Sequence, residues 1–260
     1  MANETSGKTA RAGGPLRYFW QTGCSSCQRT KEFLLKNKVE FESINLAETP
    51  ERMPELTARG LRTVPVLMDD ERHIIAQDLR DVAAFVGLEM RHKPLPPTVL
   101  SAKMDAILES ALVSTGAVPT ERLGESLPGR ERPHRELIHH IFRVAEGFLE
   151  DADDDRPQGG SLNVMPGADV TTPDLLSYGA DVRARFRAWA ARPEAADGGR
   201  ELTTASGRNT LDFTLERATW HSAHHTRQLE RLALPAVGAA PAMPLSAATL
   251  EGLPMPETIY

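Results

Sequence analysis

Gln21-Thr22-Gly23-Cys24-Ser25-Ser26-Cys27 is the stretch on which the reading of this chain turns. It follows a short apolar, aromatic run, Leu16–Trp20, and precedes a segment, Gln28–Lys38, that sets Phe33, Leu34 and Leu35 among charged residues. The first run suits a strand and the second a helix, so Cys24 should stand where a strand ends and a helix opens. Free backbone N–H groups and the helix dipole favour a thiolate at that place. Such a placement lowers a thiol pKa from about 8.5 toward neutrality and makes Cys24 the attacking sulfur. Cys27, one turn on, is placed to resolve a mixed disulfide. These are the chain's only two cysteines. A secreted disulfide scaffold would use more of them, and structural zinc would need further ligands close by. A lone pair at this spacing points to redox chemistry.

Outward from that motif the pattern continues in short elements. Glu40–Leu46 alternates loosely and suits a strand, and Pro50–Arg59 suits a helix ending at Gly60. Val64–Met68 and His73–Ala76 read as two strands across a polar turn. Asp78 can N-cap a helix that runs through Val86 to Gly87. The order β-α-β-α-β-β-α is that of the thioredoxin fold. Pro65, within Arg62-Thr63-Val64-Pro65-Val66, precedes a strand expected beside the first and is a candidate for a cis bond.

Tyr18-Phe19-Trp20-Gln21-Thr22-Gly23-Cys24-Ser25-Ser26-Cys27, taken with Arg62-Thr63-Val64-Pro65-Val66, resembles glutaredoxin over roughly residues 15–88. The resemblance implies a low-molecular-weight thiol such as glutathione as partner, with Cys24 as nucleophile and Cys27 as resolving thiol. It implies that Thr63, Val64 and Pro65 grip the thiol's backbone, with Gln21, Arg62, Gln77 and Asp78 around them. Gln21 stands where glutaredoxins often carry lysine. Gln77-Asp78 is the nearest equivalent of their Gly-Gly-x-Asp-Asp stretch.

Pro94-Leu95-Pro96-Pro97 reads as a stiff linker. Beyond it no strand is evident, and four amphipathic helices are expected at Val99–Leu112, Arg135–Glu150, Pro173–Ala191 and Thr210–Leu234. The fold class is therefore an α/β thioredoxin-like fold followed by an all-α four-helix bundle. Residues 1–14 are expected to be disordered, 15–90 to form the first domain, 91–97 the linker and 98–234 the bundle. Residues 235–260, rich in Pro and Ala, are expected to be a C-terminal tail extended along the surface or partly disordered.

Six of the eight histidines lie in the helical half. His221 and His225, at i and i+4, share one helix face, which suits two imidazoles on one ion. A facing helix can supply a third, His139 or His140. Three imidazoles with an open position describe a catalytic centre better than a closed structural one. The segments Arg135–Leu149 and His221–Leu229 resemble the DinB/YfiT-like superfamily of metal-binding four-helix bundles, over about residues 97–234. Position by position, the resemblance implies His140, His221 and His225 as metal ligands, with His139 and His224 as alternates. Its better understood members are thiol-dependent transferases and isomerases. Arg227 is a candidate for a substrate carboxylate or for the surface, and Asp151–Asp155 reads as a solvated acidic loop, with a cation site as the alternative.

With a net charge of −6 and a pI near 5.8, nothing basic attracts nucleic acid or an anionic membrane. No apolar run reaches the roughly 20 residues of a membrane span, and the first residues lack the apolar core of a secretory signal. A cytoplasmic protein is expected, compatible with a homodimer. The leading expectation is a metal-dependent enzyme that joins a low-molecular-weight thiol to a small electrophilic substrate. The alternatives are a thiol–disulfide oxidoreductase whose bundle recognises substrate, and a non-enzymatic redox or metal sensor. The divalent ion is Zn, Ni or Fe, since imidazoles alone fit all three.

Overall fold

A computed structural model describes residues 14–90, 92–128, 131–153, 162, 164–204 and 207–259. The expectation for residues 1–13 lies outside them. The chain divides into two compact units, with the break between His92 and Lys93.

In the first unit the elements run β1 (Arg17–Trp20), α1 (Ser25–Lys36), β2 (Glu42–Asn45), α2 (Met53–Thr57), β3 (Val66–Met68), β4 (His73–Ile75) and α3 (Leu79–Val86). The sheet order is β2-β1-β3-β4, with β1 parallel to β2 and antiparallel to β3. Successive strand residues point to opposite faces, so both Tyr18 and Phe19 are buried because both faces are covered. Tyr18 and Leu67 pack on one side with Leu34 of α1 and Val82 of α3. Phe19, Val66 and Met68 pack on the other with Leu56 of α2. The result is a three-layer thioredoxin-like arrangement. Helix α1 begins three residues earlier than the apolar pattern indicates, because Cys24 caps it.

The second unit holds α4 (Pro97–Gly116), α5 (His134–Asp153), α6 (Thr172–Ala190) and α7 (Leu211–Gln228). Helix α7 packs between α4 and α5, and α6 closes the square on their other side. Pro97 sits in the first turn of α4, where its missing N–H costs nothing. Gly179 of α6 allows a close approach, since a Cβ there would lie 2.6–2.8 Å from the ring of Phe142 on α5.

Three expectations about this half change. The stretch before α7 contains a two-stranded hairpin, β5 (Glu201–Thr204) and β6 (Gly207–Thr210), where no strand was expected. Leu202 is the single residue that anchors it in the core, too sparse a signal for alternation to reveal. The acidic stretch is not all loop, because Asp151 and Asp153 lie in the last turn of α5 and Asp151 is buried. Asp154 and Asp155 lie outside the described residues. Residues 235–259, expected to be extended along the surface or partly disordered, carry short helices and one core anchor. After a π-helical turn, Leu229–Ala233, come α8 (Leu234–Ala236) and α9 (Ala247–Leu250), and Leu253 packs into the core.

Candidate functional site

The thiol site grows from the end of β1. Gly23 adopts a φ of +92°, a conformation L side chains rarely take, and this turns the chain into α1. Cys24 is the N-cap, and its Sγ accepts from the Cys27 N–H at 3.1 Å. Cys24 and Cys27 are joined as a disulfide, with Cα atoms 5.1 Å apart. Tyr18, buried under the sheet, donates its hydroxyl to the Cys27 carbonyl at 2.5 Å, which fixes the start of α1 to β1.

The Val64–Pro65 bond is cis. Ala76 links three segments: its N–H donates to the Pro65 carbonyl at 2.8 Å, and its carbonyl accepts from Thr30 of α1 at 2.7 Å. Arg29 donates to the neighbouring Gln77 carbonyl at 2.7 Å. The start of α1, the cis-proline segment and Gln77-Asp78 are thus bonded together. Asp78 accepts from the Arg80 N–H and so caps α3. Gln21, Arg62, Thr63 and Val64 line a shallow cleft with Leu46 and Leu56 beneath them. Cys24, Pro65, Gln77 and Asp78 do not line that cleft.

In the second unit α5 supplies His140 and α7 supplies His221 and His225. One nitrogen from each lies within 4.8 Å of the others. The ring centres are 4.9 Å apart for His221–His225 and for His140–His225, and 5.2 Å for His140–His221. His140 Nδ1 is 3.1 Å from the Leu162 carbonyl, so it carries the proton and Nε2 is left with its lone pair. His225 Nδ1 is 2.7 Å from Gln228 Oε1, with the same consequence. His221 Nδ1 is buried with no hydrogen-bond partner among the described residues. Ring nitrogens directed together, two with their far sides already hydrogen-bonded, are what a divalent ion requires. The residues present fit the ion.

Burial holds all three rings neutral, and like charges reinforce it. His140 is pushed down to about 3 by burial first, then by Arg132. His221 and His225 also lie well below the ordinary imidazole range, mainly through burial. Neutral imidazole is the ligating form.

The alternates face elsewhere. His139 stacks on Tyr178, ring centres 4.9 Å apart, and His224 Nε2 accepts from the Gln228 amide at 3.1 Å. Neither belongs to the cluster found among the described residues. Arg227 is buried rather than on the surface. It donates to the Pro256 and Glu257 carbonyls at 3.0 and 3.4 Å. Sequence reasoning missed Gln228, whose position one turn beyond His224 and three residues beyond His225 was the available signal.

Residues 46–229 match the DinB superfamily. The chain belongs to that superfamily. Residues 16–74 match glutaredoxin, so a glutaredoxin-like domain precedes the DinB bundle. The two matches overlap at 46–74, which the structure places in the first unit. Among curated relatives, the glutaredoxin-like protein NrdH of Lactococcus lactis is 29% identical over 51 residues, 20% of this chain and 71% of that protein. No solved structure matches the chain significantly. Among the described residues no helix is long and apolar enough to cross a membrane.

Proposed function

We propose that this DinB-superfamily protein is a thiol-dependent enzyme with two chemical centres. One is a glutaredoxin-like Cys24–Cys27 pair and the other a divalent metal centre at His140, His221 and His225. The observation that carries the reading is the convergence of three imidazoles from α5 and α7, two buried and His140 half-buried, with ring nitrogens within 4.8 Å of one another.

At the first centre the Cys24 thiolate attacks one sulfur of a mixed disulfide and expels the other partner as its thiolate. The Cys27 thiolate then attacks Cys24 Sγ, releases the second partner and leaves the Cys24–Cys27 disulfide. The pair has given up two electrons, and two equivalents of a low-molecular-weight thiol of the glutathione kind return them. We assign that thiol's backbone to the cleft of Gln21, Arg62, Thr63 and Val64.

At the second centre, a divalent ion supplies Lewis-acid activation of a thiol or of its electrophilic partner. His140 and His225 keep their rings fixed through the Leu162 carbonyl and Gln228. His140, His221 and His225 would hold the ion, and the reaction proposed is attack of the thiolate on a small electrophile, forming a thioether as the leaving group departs and the thiol proton passes to solvent. Zn, Ni and Fe are the candidate ions.

The deciding experiment offers glutathione and a panel of small electrophiles to the wild-type chain and to His221→Ala. Metal-dependent thioether formation, lost in His221→Ala and on chelation, is expected. Undiminished turnover in both would overturn the reading. A second reading, a thiol–disulfide oxidoreductase whose bundle recognises substrate, draws support from the disulfide between Cys24 and Cys27. In that case Cys24→Ser abolishes all activity and His221→Ala none.

A further inference from the structure

The segment at 256–259 lies against the end of α7 and is held there by consecutive residues. Arg227 donates to the carbonyls of Pro256 and Glu257, and Gln228 Nε2 donates to the Ile259 carbonyl at 2.7 Å. Gln228 is fully buried, and its amide makes three bonds. Besides Ile259 it reaches His224 Nε2 at 3.1 Å, and its Oε1 lies 2.7 Å from His225 Nδ1.

Those contacts fix the direction of every proton in the chain of groups. A backbone carbonyl only accepts, so the Gln228 atom facing Ile259 has to be the NH2. The other end of the amide, Oε1, then faces His225. An amide oxygen only accepts as well, so His225 Nδ1 carries the ring proton and the lone pair resides on Nε2. Without a carbonyl at 259 the NH2 keeps only its contact with His224 Nε2, and a turned-over amide would present NH2 to His225 and favour the opposite tautomer.

We propose that the Ile259 backbone carbonyl, acting through Gln228, sets the tautomer of His225 and so tunes the His140–His221–His225 cluster for a divalent ion. Gln228 is a positioning residue, and residues 256–259 are part of the centre's supporting shell. The inference deepens the metal-centre reading and rests on it for its consequence in affinity.

The test uses Zn2+ as probe, titrated against a chromogenic chelator, and reads the His225 tautomer of the metal-free protein from its ring 15N shifts. Outer-shell partners of this kind change metal affinity by about 10–100-fold. A chain cut after Thr258, and the full chain carrying Gln228→Leu, should each bind Zn2+ about 10–100-fold more weakly. The cut chain should also lose the clean Nδ1–H tautomer. Adding Gln228→Glu to the cut chain restores an obligate acceptor opposite Nδ1. It should bring both readouts back toward the full chain, a rescue that a merely structural role of the segment would not produce.

The proposal is overturned if the cut chain keeps both the Nδ1–H tautomer and its Zn2+ affinity, or if Gln228→Glu fails to rescue it. If the full chain binds no Zn2+, or His221→Ala binds it equally well, the metal-centre reading falls. The tautomer measurement still judges the Ile259–Gln228–His225 relay in that event.

Discussion

The ring of His140 on α5 stands edge-on to that of His225 on α7, with centres 4.9 Å apart and planes 80° apart. Two helices distant in sequence thus bring together a half-buried imidazole, His140, and a buried one, His225. Each ring brings a lone pair that a shared divalent ion would take up, which is the basis of the metal-centre proposal. His140→Ala is therefore expected to weaken Zn2+ binding by at least about 100-fold, more than loss of an outer-shell partner. His139→Ala, one residue away but stacked on Tyr178, should change it little. Equilibrium competition with a chelator separates the two, and equal losses would remove His140 from the ligand set.

Glu230, in the π-helical turn, accepts from Ser110 Oγ at 2.7 Å and from the Leu245 N–H at 3.0 Å. Burial raises its carboxyl above the ordinary range despite those bonds. A carboxyl raised in the folded state binds a proton more readily there than in the unfolded chain. Its ionisation therefore opposes folding, and stability declines as pH rises through the folded value. Glu230→Gln keeps an acceptor for both donors without the charge. The variant should be more stable than wild type at neutral pH, with the difference vanishing in acid. Paired thermal melts at pH 4 and pH 8 check the sign.

Much of this was legible in the sequence because single residues carried it. Cys24, Cys27 and Pro65 announce the first unit, since their chemistry and backbone demands are tied to particular places in it. His221 and His225 announce a helix face through their spacing alone. Choosing His140 over His139 needed more, because adjacent helix residues differ by about 100° in direction and only the packing of α5 against α7 decides which faces inward. The hairpin at 201–210 and the anchoring of 235–259 depend on Leu202, Leu253 and backbone carbonyls, which leave no periodic trace. Main-chain acceptors such as that of Ile259 are the same in every residue, so composition is blind to them.

Gly179 tests the packing that places α5. A Cβ at this position would meet three atoms of the Phe142 ring within 2.6–2.8 Å, and that ring is fully buried. Glycine is normally the poorer helix former by about 1 kcal/mol, so Ala would be favoured on propensity alone. Overpacking of a dense core costs about 1–3 kcal/mol and should win. Gly179→Ala is expected to lower stability in urea melts, and Phe142→Leu in the same chain should recover part of the loss. A stabilised Gly179→Ala would mean that α5 and α6 do not approach as described.

The two cysteines differ in environment, and their variants should differ in kind. Cys24 caps α1 and receives the Cys27 N–H, so the helix start stabilises a thiolate on it. Cys27 lies inside the first turn and is fully buried, with its carbonyl held by Tyr18. An incoming disulfide meets Cys24 first. Cys24→Ser should therefore abolish disulfide reduction by the domain and prevent any mixed disulfide with glutathione. Cys27→Ser should still form that mixed disulfide at Cys24 but fail to resolve it within the chain, so the adduct accumulates and is visible by mass spectrometry until a second thiol removes it. Accumulation in Cys24→Ser instead would reverse the two roles and place the nucleophile at the buried sulfur, against the position of the helix start.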